Sequence, residues 1–264
     1  MKRISVAGLS LLLFVLASTV GADYHVVQRA AYGSKRKEED KATSMMMQVL
    51  VRKLIPESEY WLSTDRAVLI VKGPETEGYK ATVVDLVAGT CTLLASRTKR
   101  YATTTLPFDP AAVYTDAVLG LVRSRQSVRL TPNDLRRRLQ GVPCVGYSVG
   151  AGGPDDWAVQ GALWVTEALR LDAQKLESML ATFRAANVGA SLALPNSDLR
   201  GFPMGIEIDA PSMTLTIETS KIEEKPLPEK LLTPPHDYIR VDKLDVNDVI
   251  DKNDAMMKRI LGAE

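Results

Sequence analysis

Residues 80–106, KATVVDLVAGTCTLLASRTKRYATTTL, alternate short runs of β-branched and apolar positions with turn-forming breaks and hold almost nothing else. Runs at 81–87, 91–95 and 101–105 read as strands, with Ala88-Gly89-Thr90 and Arg97-Thr98-Lys99-Arg100 between them. Three strands in close succession predict an antiparallel meander. Strand periodicity recurs at 24–31, 45–53, 59–63 and 67–72 before the meander, and at 141–148, 157–165, 205–209 and 212–222 after it. In the second of these, Met45, Met47, Val49 and Val51 fall on one face while Met46 and Leu50 fall on the other, so a sheet covered on both faces is expected.

Helical spacing is found at three places. Asp109 stands before Pro110 as a cap before a first-turn proline, predicting a helix to about Val122 with Val113, Ala117, Val118 and Leu121 as its buried stripe. Residues 171–186 form the clearest case, with Asp172 capping and Leu176, Met179, Leu180 and Phe183 on one side. A third, 245–261, carries Val249, Ile250, Met256, Met257, Ile260 and Leu261 as an amphipathic helix. Between Val128 and Val149 the pattern supports a short helix opened by Thr131-Pro132-Asn133-Asp134, or a turn at Pro-Asn-Asp joining strands 128–130 and 135–139. The hairpin is the reading adopted. Long runs of strands with few helices between them define an α+β class, not alternating βαβ units.

Charge and the amino terminus narrow the setting. With 33 basic and 32 acidic residues the chain is nearly neutral, which offers no electrostatic basis for holding nucleic acid. Lys2 and Arg3, an apolar run centred on residues 9–16, and small residues at Val20 and Ala22 read as a signal peptide, 1–22, cleaved before Asp23. Export is therefore expected, to the periplasm if the source is Gram-negative. The mature chain is long enough for a substantial core, organised as one domain over 23–244 and the amphipathic helix over 245–264. Residues 34–43, SKRKEEDKAT, read as a solvated hairpin loop. Cys91 and Cys144 could form a disulfide in an oxidising compartment, contributing about 4 kcal/mol, or could be two small buried apolar residues.

Several short motifs together resemble one exported bacterial family. They are Asp85-Leu86, Gly89-Thr90, Leu93-Leu94, Lys99 and Tyr101, then Gly141-Val142-Pro143-Cys144 and Tyr147, Leu163-Trp164-Val165, Gly201-Phe202-Pro203, and Pro226-Leu227-Pro228 with Pro234 and Tyr238. The chain is similar in these, over residues 24–242, to the domain of unknown function numbered forty-four twelve, departing from it at Leu232 and Asp237. That family resembles the periplasmic lipoprotein carriers, which implies a curved antiparallel sheet, an incomplete β-barrel, with helices packed on the concave face and acyl chains held inside. A curved sheet that is apolar within and lidded by amphipathic helices does enclose space for an apolar ligand. The expected lining is Met45, Met47, Trp61, Leu69, Leu86, Trp164 and Met179, where Met and Trp supply an adaptable wall.

Catalytic signals are sparse. Gly146-Tyr147-Ser148-Val149-Gly150 matches the Gly-x-Ser-x-Gly pattern of a nucleophile elbow, and His236 with Asp209 or Asp198 could complete a triad. The following Ala151-Gly152-Gly153-Pro154 is a turn into another strand and not a helix, so the context is wrong and Ser148 is expected within or at the end of a strand. His25 and His236 lack metal-ligand spacing, so neither metal nor cofactor is expected. Arg123, Arg125, Arg129, Arg136, Arg137 and Arg138 read as a solvated face protecting a sheet edge, with an anionic headgroup or an envelope protein as the alternative use. Glu223 and Glu224 alternate across a strand and cannot face one substrate. The sequence thus points to an exported, non-enzymatic carrier of an acyl chain or a lipid-modified protein. An envelope scaffold with a filled core, or a serine hydrolase at Ser148, are the competing classes.

Overall fold

A computed structural model describes residues 22–34, 57–72, 79–123, 126–127, 129–151, 159–186, 192–193, 199–209 and 213–249. In chain order its strands are β1 (Tyr24–Ser34), β2 (Glu57–Leu62), β3 (Arg66–Lys72), β4 (Tyr79–Asp85), β5 (Thr90–Ala95), β6 (Arg100–Thr105), β7 (Gln126–Ser127), β8 (Arg129–Leu139), β9 (Val142–Ala151), β10 (Val159–Thr166), β11 (Leu192–Ala193), β12 (Phe202–Asp209), β13 (Met213–Glu224) and β14 (Ile239–Arg240). The helices are α1 (Pro110–Val113), α2 (Asp116–Arg123), α3 (Ala173–Ala186) and α4 (Val246–Val249).

Twelve of the strands form one sheet in the order β14-β6-β5-β4-β3-β2-β1-β13-β12-β10-β9-β8. Every pairing in it is antiparallel except β14 on β6. The class is α+β, a curved open sheet with helices on its concave face, as the sequence predicts. The curvature follows from side-chain reach. β8 and β13 stand four places apart, about 19 Å on a flat sheet, yet the Arg137 guanidinium of β8 donates to Glu218 of β13 at 2.8 Å and pairs with Glu207 of β12. A flat sheet cannot make that contact, so this end of the sheet curls. Register shifts at Val27/Gln28 and Trp164/Val165 mark irregularities of the bulge type, which bend strands and increase twist.

The meander forms at β4, β5 and β6. Asp85 accepts from the Ala88 amide at 2.8 Å, and Gly89 supplies a positive φ of 64° in the first turn. Alternation in β2 to β6 sorts the side chains into two layers. Leu62, Leu69, Val84, Leu93 and Ala102 face the helices, while Trp61, Val68, Val83 and Leu94 point the other way. Helix α3 packs on β3 and β4 with Leu176, Met179 and Phe183 buried, and its cap forms as expected, the Asp172 carboxylate accepting from the Lys175 amide at 2.9 Å.

Two expectations are corrected. The helix expected from Asp109 to about Val122 is broken at Tyr114, whose extended backbone bridges to Leu244. The Thr115 amide donates to the Leu244 carbonyl at 3.1 Å, the Leu244 amide donates to Val113 at 2.7 Å, and the Tyr114 hydroxyl donates to the Ala186 carbonyl. Partners more than seventy residues away outcompete local helical bonds. The hairpin expected at Pro132-Asn133-Asp134, and the helix weighed against it, are replaced by the single edge strand β8, which pairs with β9 on both sides of an irregularity between Pro132 and Arg136. The loop read at 34–43 beyond Ser34, the strand at 45–53 and the C-terminal helix beyond α4 lie outside the described residues.

Candidate functional site

The expected lining residues do not all meet. Leu69, Trp164 and Met179 belong to one buried cluster, and Leu86 packs against it. Trp61 does not join them, because its neighbour Leu62 takes the concave side and Trp61 therefore packs outside with Val68, Ala81, Val83 and Leu94. Met45 and Met47 lie outside the described residues.

The concave layer is tightly filled over the described residues. Leu62, Val84, Met179, Phe202 and Met204 have no exposed surface. Tyr60 meets Phe183 and Phe202 edge-on at 6.2 and 5.2 Å between ring centroids, and burial pushes its hydroxyl up to about 12. A cavity of about 30 Å³ lies at the α4 end, lined by Val71, Thr82, Leu93, Tyr114, Leu244 and Val249 among others. That is room for a water or two, not for an acyl chain.

The larger space lies on the outer face. After β13 the chain crosses β2 to β6 as a strap, residues 225–238, laying Leu227, Leu231, Leu232 and Tyr238 against the Trp61 layer. Pro226, Pro228, Pro234 and Pro235 flank a single 3-10 turn at Glu229–Leu231 and keep the rest of this segment out of the ladder, so it is held to the sheet by point contacts. Asp23 accepts from the Lys225 amide at 3.0 Å through its carbonyl and from the Leu227 amide at 2.9 Å through its carboxylate. At the far end Lys99 pairs with Asp237 at 2.7 Å, and the Ile239 and Val241 amides donate to Lys99 and Tyr101 at 2.8 Å. The strap leaves a groove of about 270 Å³ with Val68, Ile70, Ala81 and Leu94 as its floor and Leu231 and Pro235 as its wall, and with Lys72, Lys230 and Thr233 as its polar lining. Sequence reasoning missed this groove. The signal present in the sequence was the proline run with apolar residues at 227, 231, 232 and 238, part of which reads locally as no more than a family motif.

Charges surround the base of the strap. The His25 ring stacks on Trp61 at 4.0 Å, Lys225 Nζ lies 5.2 Å from the Trp61 ring centroid, and His25 Nδ1 is 3.1 Å from Glu223. The hydrogen bond from Lys221, then that from His25, lowers the Glu223 carboxyl to about 2. Lys72 is pushed up chiefly by its hydrogen bond to Glu59 and also pairs with Glu57 at 3.4 Å.

Ser148 sits within β9, between β8 and β10, where no strand-to-helix elbow exists. Its hydroxyl accepts from Asn133 Nδ2 at 3.2 Å, and Asn133 Oδ1 also accepts from the Leu135 amide at 3.0 Å. A side chain at Gly146 would collide with Asn133, so the glycine and the serine of the motif both serve the irregular stretch of β8. Cys91 and Cys144 are buried free thiols, not a disulfide, Cys91 pushed up to about 12 and Cys144 also raised, both by burial. Among the described residues no group of three His, Cys, Asp or Glu could hold a metal, and no helix is long and apolar enough to cross a membrane. Arg129, Arg136 and Arg138 are exposed on edge strand β8, whereas Arg137 turns in over the Trp164 ring at 5.5 Å from its centroid.

No family model and no curated protein matches the sequence, so the motif resemblance gains no support there. Among solved structures the chain is similar to an uncharacterised conserved protein from Thermus thermophilus, with 8% identity over 90% of this chain and 99% of that one and a TM-score of 0.41. It is also similar to the lipoprotein LppX of Mycobacterium tuberculosis, at 11% identity over 85% and 99% of the two chains with a TM-score of 0.32. A LolA superfamily protein from Nitrosomonas europaea gives 10% identity over 82% and 91%, with a TM-score of 0.26. Likenesses of this order assign neither a family nor a ligand to the chain.

Proposed function

We propose that the protein is an exported, non-enzymatic binding protein for an apolar envelope ligand, an acyl chain or the acyl portion of a lipid-modified protein. The observation that carries this reading is the groove of about 270 Å³ between the outer sheet face and the strap, because its floor is entirely apolar and it is close in size to small-molecule sites of about 300–1,000 Å³. An apolar fluorescent probe is expected to bind the folded protein with micromolar affinity and to be displaced by fatty acid. Absence of binding removes the carrier reading.

A second reading, an envelope scaffold or assembly protein, is favoured by the filled concave layer around Met179, Phe202 and Met204. The two separate at Leu86, half-buried against that layer. If a concave cavity binds the probe, Leu86→Trp lowers affinity at little cost in stability. If the layer is packed throughout, the substitution costs about 1–3 kcal/mol by overpacking and leaves probe binding in the outer groove unchanged.

A further inference from the structure

The groove under the strap carries a chemical selection as well as a volume. Building on the apolar-ligand reading of that same groove, we infer that it takes one acyl chain with a single anionic head, and that Lys230 holds the head. The lining contains two cations and no carboxylate. Lys72 is already matched, its ammonium shared by Glu57 and Glu59. Lys230, exposed on the strap, makes no ion pair among the described residues, so one uncompensated positive charge stands at the mouth of an apolar slot. That arrangement is complementary to an amphipathic anion.

Other occupants fit less well. A neutral hydrocarbon gains nothing from the Lys230 charge, which stays in water. An extended peptide brings an amide pair per residue, and apart from Thr233 and the two lysines the lining residues are apolar, so those amides would lose water without replacement. A diacyl lipid needs room for two chains in a space already at the small end for one ligand. The shared chemistry is therefore a single acyl chain with a carboxylate or phosphodiester head, supplied either as free fatty acid or as a lysophospholipid.

The test uses a dansyl-labelled fatty acid as probe, with dodecanoate, dodecanol and lysophosphatidylglycerol as competitors. Wild type should bind the probe and release it to both anionic competitors, their relative potency naming the source. Lys230→Glu should weaken dodecanoate about tenfold or more, the scale of one charge-assisted hydrogen bond, while leaving dodecanol unchanged. Lys230→Arg should retain binding. Ile70→Trp, which fills the floor, should abolish binding of both, with circular dichroism confirming the fold. Should Lys230→Glu not discriminate acid from alcohol, the head assignment is wrong while the apolar-ligand reading of the groove stands; should Ile70→Trp fold but bind as wild type does, the probe sits elsewhere and the groove carries neither reading. Should wild type bind no probe at all, both fall.

Discussion

Cys91 and Cys144 show how one residue's surroundings decide its chemistry. Each is a buried thiol whose ionisation burial opposes, and the thiolate is the reactive form, so neither suits redox or nucleophilic work. Ellman's reagent should count two thiols in denaturant and react with neither at an appreciable rate in the native protein; a native count of zero that persists after denaturation would mean a disulfide. Glu223 makes the opposite case, a carboxylate favoured by Lys221 and His25. Its folded pKa of about 2 lies below the ordinary 4.5, so its contribution to stability is present above pH 4.5 and is lost as pH falls towards 2. Glu223→Gln should therefore lower the melting temperature at pH 7 and have no effect by about pH 2. The difference should shrink in high salt, since the pair is partly exposed. An equal effect at both pH values would contradict the pairing.

At the scale of elements, local pattern reads well wherever local forces decide. The meander of β4 to β6 is legible because β-branched runs and turn residues agree, and α3 because Asp172 and the Leu176, Met179, Leu180, Phe183 stripe agree. Asp172→Ala should cost about 1 kcal/mol, read as a lower urea midpoint with unchanged slope. An unchanged midpoint would mean that the cap is not formed in solution. Illegible were the features fixed at a distance. Tyr114 leaves its helix for Leu244, β8 stays one strand because β9 offers it a ladder on both sides of Asn133, and the strap depends on Asp23 and Lys99. The candidate site failed for a related reason. Alternation does show Trp61 and Leu62 facing opposite ways, but only the strap shows that the Trp61 side is covered as well.

On the scale of the whole molecule, a twelve-strand open sheet has two faces and two edges to protect. Helix α3 covers the concave face, the strap covers part of the outer face, β14 closes the β6 edge, and β8 carries Pro132 and exposed arginines on the other. A loosely filled place among the described residues is the groove beneath the strap, and the carrier reading stands on its being occupied by an apolar ligand. Native mass spectrometry of the protein purified from the envelope of its own cells tests that most directly. The expected spectrum contains a population heavier by the mass of one acyl-bearing molecule, which organic extraction removes and Ile70→Trp prevents. A single ligand-free mass, with no lipid in the extract of the folded protein, would contradict it.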